Sequence, residues 1–348
     1  MGRDPYTNRG SQTPRIIKGV GSIGNVLIDW LTFSSKSDSP ESLIQLLNMQ
    51  GCEWRERGGR YYYQNAMVYG HVYIYYNGIN EDMGVCLEMS GQGCRDFESF
   101  GGGDWNKLLE QIISEPDRNL TRIDIAYDDF ERKLDLDAIV NDTFSGMFTS
   151  RLTHWNVQRG SRGCTVEHGL QSSRAYVRIY DKKAERKRDD IDYWVRCEIQ
   201  LREKNAQGFA ENLFKKVRKT DERTKMTYDE YQPKTPIQEL YFKVINNYLR
   251  YVTPSNDSHK HRWPTAEHWT SFLENVEKQS VFIAPGVEYN IMRLSKYVFG
   301  QAGNAIKAYM DLCGAEAFFE ELEQVKPSKN KKYDLLRDMY RQPERRTV

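Results

Sequence analysis

Three short segments place carboxylates, arginines and tyrosines at every second position. In RIDIAYD, Arg122, Asp124, Ala126 and Asp128 alternate with Ile123, Ile125 and Tyr127. In AYVRIYD, Tyr176, Arg178 and Tyr180 alternate with Val177 and Ile179; in WVRCEIQ, Arg196, Glu198 and Gln200 alternate with Val195, Cys197 and Ile199. A β-strand sends alternate side chains to opposite faces, so each segment reads as a strand with one apolar and one polar face. Side by side, the polar faces build a patch of Arg, Tyr and carboxylate in the middle of a sheet, and Glu88 in CLEM adds a further carboxylate. Facing carboxylates can hold a hard divalent cation, and a tyrosine beside them can serve as an oxygen nucleophile. The competing reading is a solvated sheet face crossed by ion pairs. The pattern alone leaves both open.

The elements that must position these residues follow from period and punctuation. NVLIDWLTFS (25–34) reads as a strand, and Ser39-Pro40-Glu41 opens a helix that runs to Gly51. YYYQNAMVYG, HVYIYYNG and GVCLEMSG read as strands, and DWNKLLEQIIS (104–114) as a helix capped by Asp104. TRIDIAYDDF (121–130) is a strand and 134–144 a helix starting near Asp135, with THWNVQRG, CTVEHGL, 173–182 and 193–202 as further strands and 205–216 as a helix. Strand, helix, strands, helix thus occurs twice, once with Asp29 early and Glu88 late, once with Asp124 early and Glu198 late. The expected fold is α+β: a central antiparallel β-sheet from two related βαββ-type units flanked by helices, followed by a mostly α-helical C-terminal region. The expected domains are a flexible arm at 1–22, a catalytic domain at 23–235 and a helical region at 236–348, for DNA recognition or oligomerisation.

With 348 residues, 28% charged and 39% hydrophobic, the chain has ample material for a core and is not disordered as a whole. No run approaches 18 apolar residues, so no membrane span or membrane partner is expected, and the polar N-terminus does not read as a secretory signal. Six scattered cysteines without a CxxC pair point to reduced thiols in a cytoplasm rather than a disulfide or zinc scaffold. The net charge of +1 hides an asymmetry. Residues 1–150 carry 14 Lys+Arg against 22 Asp+Glu, whereas residues 151–250 carry 22 against 14. A basic middle suits a polyanion partner, unless the two blocks complement each other within one domain.

GVCLEMSGQG, LTRIDIAYDD, RIYDKKAERKRDD and WVRCEIQLR, four separated strings in order, resemble the replication initiation factor family. That family includes rolling-circle initiators of small Gram-positive plasmids and related relaxases of integrative conjugative elements. The resemblance covers roughly residues 25–215 and continues more weakly beyond, where PTAEHWTSFLENVEK looks more like the conjugative branch. It implies site- and strand-specific DNA nicking and rejoining, with Tyr180 attacking a phosphodiester to leave a 5′-phosphotyrosine and a free 3′-OH. It further implies a divalent metal held by Asp124 and Glu198, then Glu88, with Asp29 and Asp128 after those. Lys183 or Lys182 would stabilise the phenolate or phosphorane charge, and Arg178 and Arg196 would clamp phosphates. Arg122 and the basic run with Lys187 and Arg188 join the expected DNA contacts.

Many rolling-circle enzymes hold their metal with a histidine pair. Here the sole HxH, His259-Lys260-His261, reads as a solvated loop, so a mainly carboxylate site favouring Mg or Mn is expected. The expected partners are origin DNA, single-stranded or extruded as a hairpin at the nick site, a host helicase and a second copy of the chain, since plasmid initiators of this type resemble dimers, although the conjugative branch need not. Two other classes compete: a non-catalytic single-strand DNA-binding protein, and a metal nuclease that uses water. Gly19–Gly24 matches GxGxxG but precedes a strand, so it reads as a flexible entry. The tyrosines from Tyr61 to Tyr76 read as an aromatic hairpin before they read as a base-stacking surface. FKKVRKTDERTK (214–225) reads as a phosphate-tracking segment or a solvated helix face.

Overall fold

The computed structural model describes residues 26–161, 163–223, 226–273, 298–299 and 302–325. The chain divides into two compact units, Met1–Ile283 and Ala284–Val348. The expected arm at 1–22, the glycine motif at 19–24 and the last helix expected after Lys326 lie outside the described residues.

The first unit is organised around β1 (Val26–Ser35) and β6 (Arg118–Asp129), which pair antiparallel at the centre of a sheet. After β1 come α1 (Pro40–Leu46) and a meander of β2 (Arg55–Gly58), β3 (Tyr63–Tyr69), β4 (Val72–Gly78) and β5 (Val85–Met89). The helices α2 (Gly91–Phe100) and α3 (Trp105–Ser114) then lead to β6. The second half repeats the plan: α4 (Leu136–Phe144), a short β7 (Phe148–Ser150), then β8 (Trp155–Gly160), β9 (Gly163–His168), β10 (Ala175–Asp181), α5 (Lys182–Arg186), β11 (Val195–Arg202) and α6 (Lys204–Leu213).

Among the described residues these strands form one ten-stranded sheet in the order β2-β3-β4-β5-β1-β6-β11-β10-β9-β8, every pairing antiparallel. In each half the first strand lies at the centre, and a four-stranded meander returns from the edge to pair with it. Each repeat is therefore a strand, a helix and four strands, longer than the βαββ unit expected.

Local chemistry explains the helix starts. Ser39 and Ser42 form a reciprocal capping box with Pro40 at the first position. Asp104 accepts from the Lys107 amide and Asp135 from the Ala138 amide. The apolar sheet face, with Leu31, Phe33, Ile123, Ile125, Val177, Ile179, Cys197 and Ile199, is buried against the helices. Removing that face from water is the main drive for the fold.

The segment after α6 departs from expectation. Residues 214–233 form a hairpin, β12 (Phe214–Thr220) with β13 (Thr227–Pro233), so the FKKVRK run is strand rather than helix. α7 (Ile237–Tyr248), β14 (Leu249–Tyr251), which pairs with β7, and α8 (Glu267–Phe272) follow. Their Leu240, Tyr241, Phe242, Ile245, Tyr251, Trp269 and Phe272 are buried in the same core, and the Tyr241 hydroxyl donates to the Cys197 carbonyl oxygen at 2.8 Å. Apolar side chains of 237–273 are thus packed into the same core as the sheet. In the second unit, α9 (Gly303–Cys313) and α10 (Ala315–Gln324) meet at Gly314, whose φ of 86° suits glycine.

Candidate active site

The polar face of the sheet is built by register. Asp124 on β6 lies opposite Gln200 on β11, Asp128 opposite Arg196, and Ala126 opposite Glu198. On the other side of β11, Arg178 of β10 lies opposite Glu198 and Tyr180 opposite Arg196. The three polar strands expected from alternation are therefore adjacent, and their polar residues share one face.

At its centre is the Tyr180 hydroxyl. It donates to Glu198 Oε2 at 3.2 Å and accepts from Lys182 Nζ at 3.1 Å. The Arg178 guanidinium lies over the Tyr180 ring, 4.4 Å from its centroid, and donates to both Glu198 oxygens at 3.2 and 3.1 Å. Tyr180 is 3% exposed. Burial, and then the Glu198 charge, push its phenol well above its ordinary range, against the pull of Arg196 and Arg178. The resting phenol is neutral, with a proton acceptor on one side and cations on the other. Burial and the nearby Arg196 pull the Lys182 ammonium down, while its 2.5 Å ion pair with Glu185 opposes them.

Arg196 braces the floor. Its Nε and Nη2 donate to the two Asp128 oxygens at 2.7 Å each, and Nη1 donates to Asp29 Oδ2 at 2.8 Å. Trp194 Nε1 donates to Asp128 Oδ1 at 2.7 Å. Asp29 reaches this position because the β1–β6 register shifts between Ile28 and Trp30, leaving Asp29 as the extra residue of a bulge. Burial works to raise the Asp29 carboxyl, but Arg196, Lys182 and Arg95 together hold it below its usual range.

Asp124 accepts from Arg122 Nε and Nη2 at 2.9 and 2.6 Å, and the same guanidinium lies 4.1 Å from the Trp30 ring centroid. Even so, burial raises Asp124 to about 6; Arg122 opposes the shift, and the Glu198 and Asp29 carboxylates add to it. Asp124 is thus a buried carboxylate whose ionisation the neighbouring Glu198 and Asp29 charges oppose. Carboxylate oxygens are the donor type that hard divalent cations prefer. Among the described residues no three His, Cys, Asp or Glu stand together as ready ligands. Asp124 and Asp29 are engaged by guanidinium groups, as Glu198 is by Arg178.

Some expected site residues are placed elsewhere. Glu88 lies on β5, two strands from Asp124, and accepts from the Tyr75 hydroxyl at 3.4 Å. Lys183 turns from Tyr180 and donates to the Asp192 carbonyl oxygen at 3.4 Å; Lys182 is the lysine at the phenol. Arg196 is buried between two carboxylates, which makes it a brace rather than a phosphate clamp. Lys187 is exposed at the end of α5, and Arg188 pairs with Asp190 at 2.6 Å. The 259–261 triplet is exposed, as expected of a loop. In the basic β12–β13 hairpin, Lys216 pairs with Asp229 at 2.8 Å and Lys219 pairs with Glu230. Trp30 and Trp194, which orient Arg122 and Asp128, carried no signal in a strand reading based on polar alternation.

Residues 118–322 match the family model described as Replication initiation factor, and residues 25–111 match the Rolling Circle replication initiation protein N-terminal domain. The protein of Bacillus subtilis (strain 168) named "Putative DNA relaxase NicK" is 24% identical over 281 residues, which is 76% of this chain and 74% of that one. A solved rolling circle replication initiator protein from Geobacillus stearothermophilus superposes with a TM-score of 0.61 at 27% identity, over 72% of this chain and 96% of that one.

Proposed function

The chain belongs to the replication initiation factor family, and from that membership we propose that it nicks and rejoins one DNA strand at a specific site through Tyr180, initiating rolling-circle replication or transfer of a mobile element. The observation that carries this reading is the Tyr180 hydroxyl held between the Glu198 carboxylate and the Lys182 ammonium.

The chain's own groups suffice to describe the transfer. Glu198 takes the phenol proton as the oxygen bonds to the scissile phosphorus. The bond to the 3′-oxygen breaks, giving a 5′-phosphotyrosine and a 3′-hydroxyl once that oxygen is protonated. Lys182 offsets charge on the phenolate oxygen both when it attacks and when it departs on resealing. Arg178, partly exposed above the ring, meets the phosphate in bidentate fashion. Burial keeps the phenol protonated at rest, so the proton leaves to Glu198 only as the bond to phosphorus forms. The ester retains the energy of the broken linkage, so rejoining needs no nucleotide cofactor. A Mg or Mn ion held by Asp124, Glu198 and Asp29 would supply Lewis acidity toward the phosphate.

The test uses an origin oligonucleotide labelled at its 3′ end, so that the label stays on the fragment joined to protein. The wild-type protein is expected to yield an SDS-stable labelled band that EDTA abolishes. Tyr180→Phe is expected to yield none while still binding the oligonucleotide. Full nicking by Tyr180→Phe refutes the covalent mechanism in favour of water attack, and full nicking in EDTA refutes the carboxylate metal site.

A further inference from the structure

The Tyr180 site has a counterpart across the centre of the sheet. Glu88 on β5 faces Thr32 of β1 on one side and Tyr73 of β4 on the other. Glu198 on β11 faces Ala126 of β6 and Arg178 of β10 in the same way. One step along, Tyr75 faces Cys86 as Tyr180 faces Arg196. Tyr75 and Glu88 therefore occupy the positions of Tyr180 and Glu198, and Tyr75 donates to Glu88 at 3.4 Å as Tyr180 donates to Glu198 at 3.2 Å.

The surroundings differ in kind. Where the second half has Arg178 and Arg196, the first has Tyr73 and Cys86, so the two guanidinium groups at those register positions are replaced by a ring and a thiol. Tyr73 stacks on Tyr75 at 5.8 Å and 14°, Tyr63 stacks at 6.1 Å and 28°, and Tyr61 meets Tyr75 edge-on at 5.6 Å. Burial and then Glu88 raise the Tyr75 phenol, with Arg60 opposing them and no lysine donating to its oxygen as Lys182 does to Tyr180. This half cannot activate a phenol as the other does. It presents π-faces instead.

The β2–β3 turn brings those faces to the surface. Tyr61 and Tyr62 sit at φ 55° and 69°, a left-handed pair that bulky side chains rarely adopt. The strain holds two rings outward, Tyr61 at 60% and Tyr62 at 76% exposure. Arg55 and Arg57 lie opposite Val68 and Ala66, hence on the same sheet face, and the Arg60 guanidinium lies 5.9 Å from the Tyr73 ring centroid. All three arginines are exposed, on a half of the chain that is otherwise rich in acid.

We propose that this aromatic half of the polar face is a binding platform for single-stranded DNA flanking the cleaved phosphodiester: Tyr61 and Tyr73 take unstacked bases, and Arg55, Arg57 and Arg60 take phosphates. The proposal rests on the reading of the chain as a DNA nickase, because it assigns the strand a path continuous with Tyr180. Rings with interspersed guanidinium groups match single strands, whose bases are free to stack; a duplex hides them.

The test measures binding without cleavage, in full-length protein carrying Tyr180→Phe, by fluorescence anisotropy with a labelled oligothymidylate of about 16 nucleotides. Adding Tyr61→Ala is expected to weaken binding about tenfold, and Tyr61→Phe, which keeps the ring, to restore it. Arg55→Gln with Arg57→Gln is expected to lower the slope of log affinity against log salt by about 0.7 for each phosphate no longer neutralised. A duplex of the same length is expected to bind the Tyr61→Ala protein as it binds the parent. Equal single-strand binding by the Ala and parent proteins overturns the platform and leaves the nicking mechanism standing. A parent protein that binds no oligothymidylate overturns the platform, and one that binds neither this nor the origin oligonucleotide overturns both.

Discussion

Replacing Asp124 by Asn should stabilise the protein while abolishing nicking, and the stabilisation should have a definite pH dependence. Asp124 is 3% exposed, and its carboxyl is raised from 3.8 to about 6 by burial and by Glu198 and Asp29, against the opposition of Arg122. At 1.36 kcal/mol per pH unit, ionised Asp124 therefore costs the metal-free fold about 3 kcal/mol. The sign follows from proton counts. Between 3.8 and about 6 the folded state holds the Asp124 proton and the unfolded state has lost it, so this group's contribution to stability falls as pH rises through that window and stays low above it. Asn does not titrate. Urea unfolding should show Asp124→Asn more stable than wild type at about pH 7.5, with the advantage reduced by about 2 kcal/mol at about pH 4.5. Other titrating groups are common to both proteins and cancel in the difference. Loss of the charge-assisted bonds from Arg122 lowers the absolute gain but not its pH slope. An advantage that is flat, or grows as pH falls, would show that Asp124 is not a destabilised carboxylate and would remove the charge accumulation that argues for a cation there.

Two further substitutions separate structure from chemistry. Arg196→Met leaves Asp128 and Asp29 facing each other without their shared guanidinium, and should cost about 3–5 kcal/mol in urea unfolding; a loss under about 1 kcal/mol would mean that solvent replaces the brace. Lys182→Met should slow formation of the covalent adduct about a hundredfold, whereas Lys183→Met should leave it nearly unchanged, since only Lys182 donates to the phenol; equal effects in single-turnover cleavage would refute that distinction.

The legible part of this protein was whatever period two encodes. RIDIAYD, AYVRIYD and WVRCEIQ alternate cleanly, so the faces of β6, β10 and β11 followed from spacing alone, and Asp104 and Asp135 mark their helices through the ordinary chemistry of an N-cap. What failed was whatever depends on strand order. Glu88 and Glu198 look equivalent along the chain, but β1 and β6 stand between their strands. Lys182 and Lys183 are adjacent in sequence, and the turn from β10 into α5 decides which one returns to Tyr180. FKKVRK continues the helical run of α6 in composition, yet it pairs with 227–233, a partner strand close by in sequence. The segment 214–233 shows propensity overridden by a nearby pairing partner.

The geometry of the duplication accounts for why only one of its two Tyr–Glu pairs is set for chemistry. A sheet built from two like halves about β1 and β6 presents the same strand positions twice, so a polar face on one half has a twin on the other. Each half alone supplies a phenol against a carboxylate, an arrangement that raises the phenol and deters attack. In the proposed mechanism attack requires cations that offset the phenolate: Lys182, Arg178 and Arg196 stand at Tyr180, whereas Arg60 is the cation that acts on Tyr75. The cations in turn need buried counter-charges, and one of these, Asp29, comes from the first half through the bulge in β1. The Tyr180 site is thus composite. In the proposed mechanism the second half contributes nucleophile, base and cations, and the first contributes the Asp29 carboxylate bonded to Arg196. At the twin position Tyr73 and Cys86 stand where Arg178 and Arg196 stand, so that half carries rings in place of guanidinium groups.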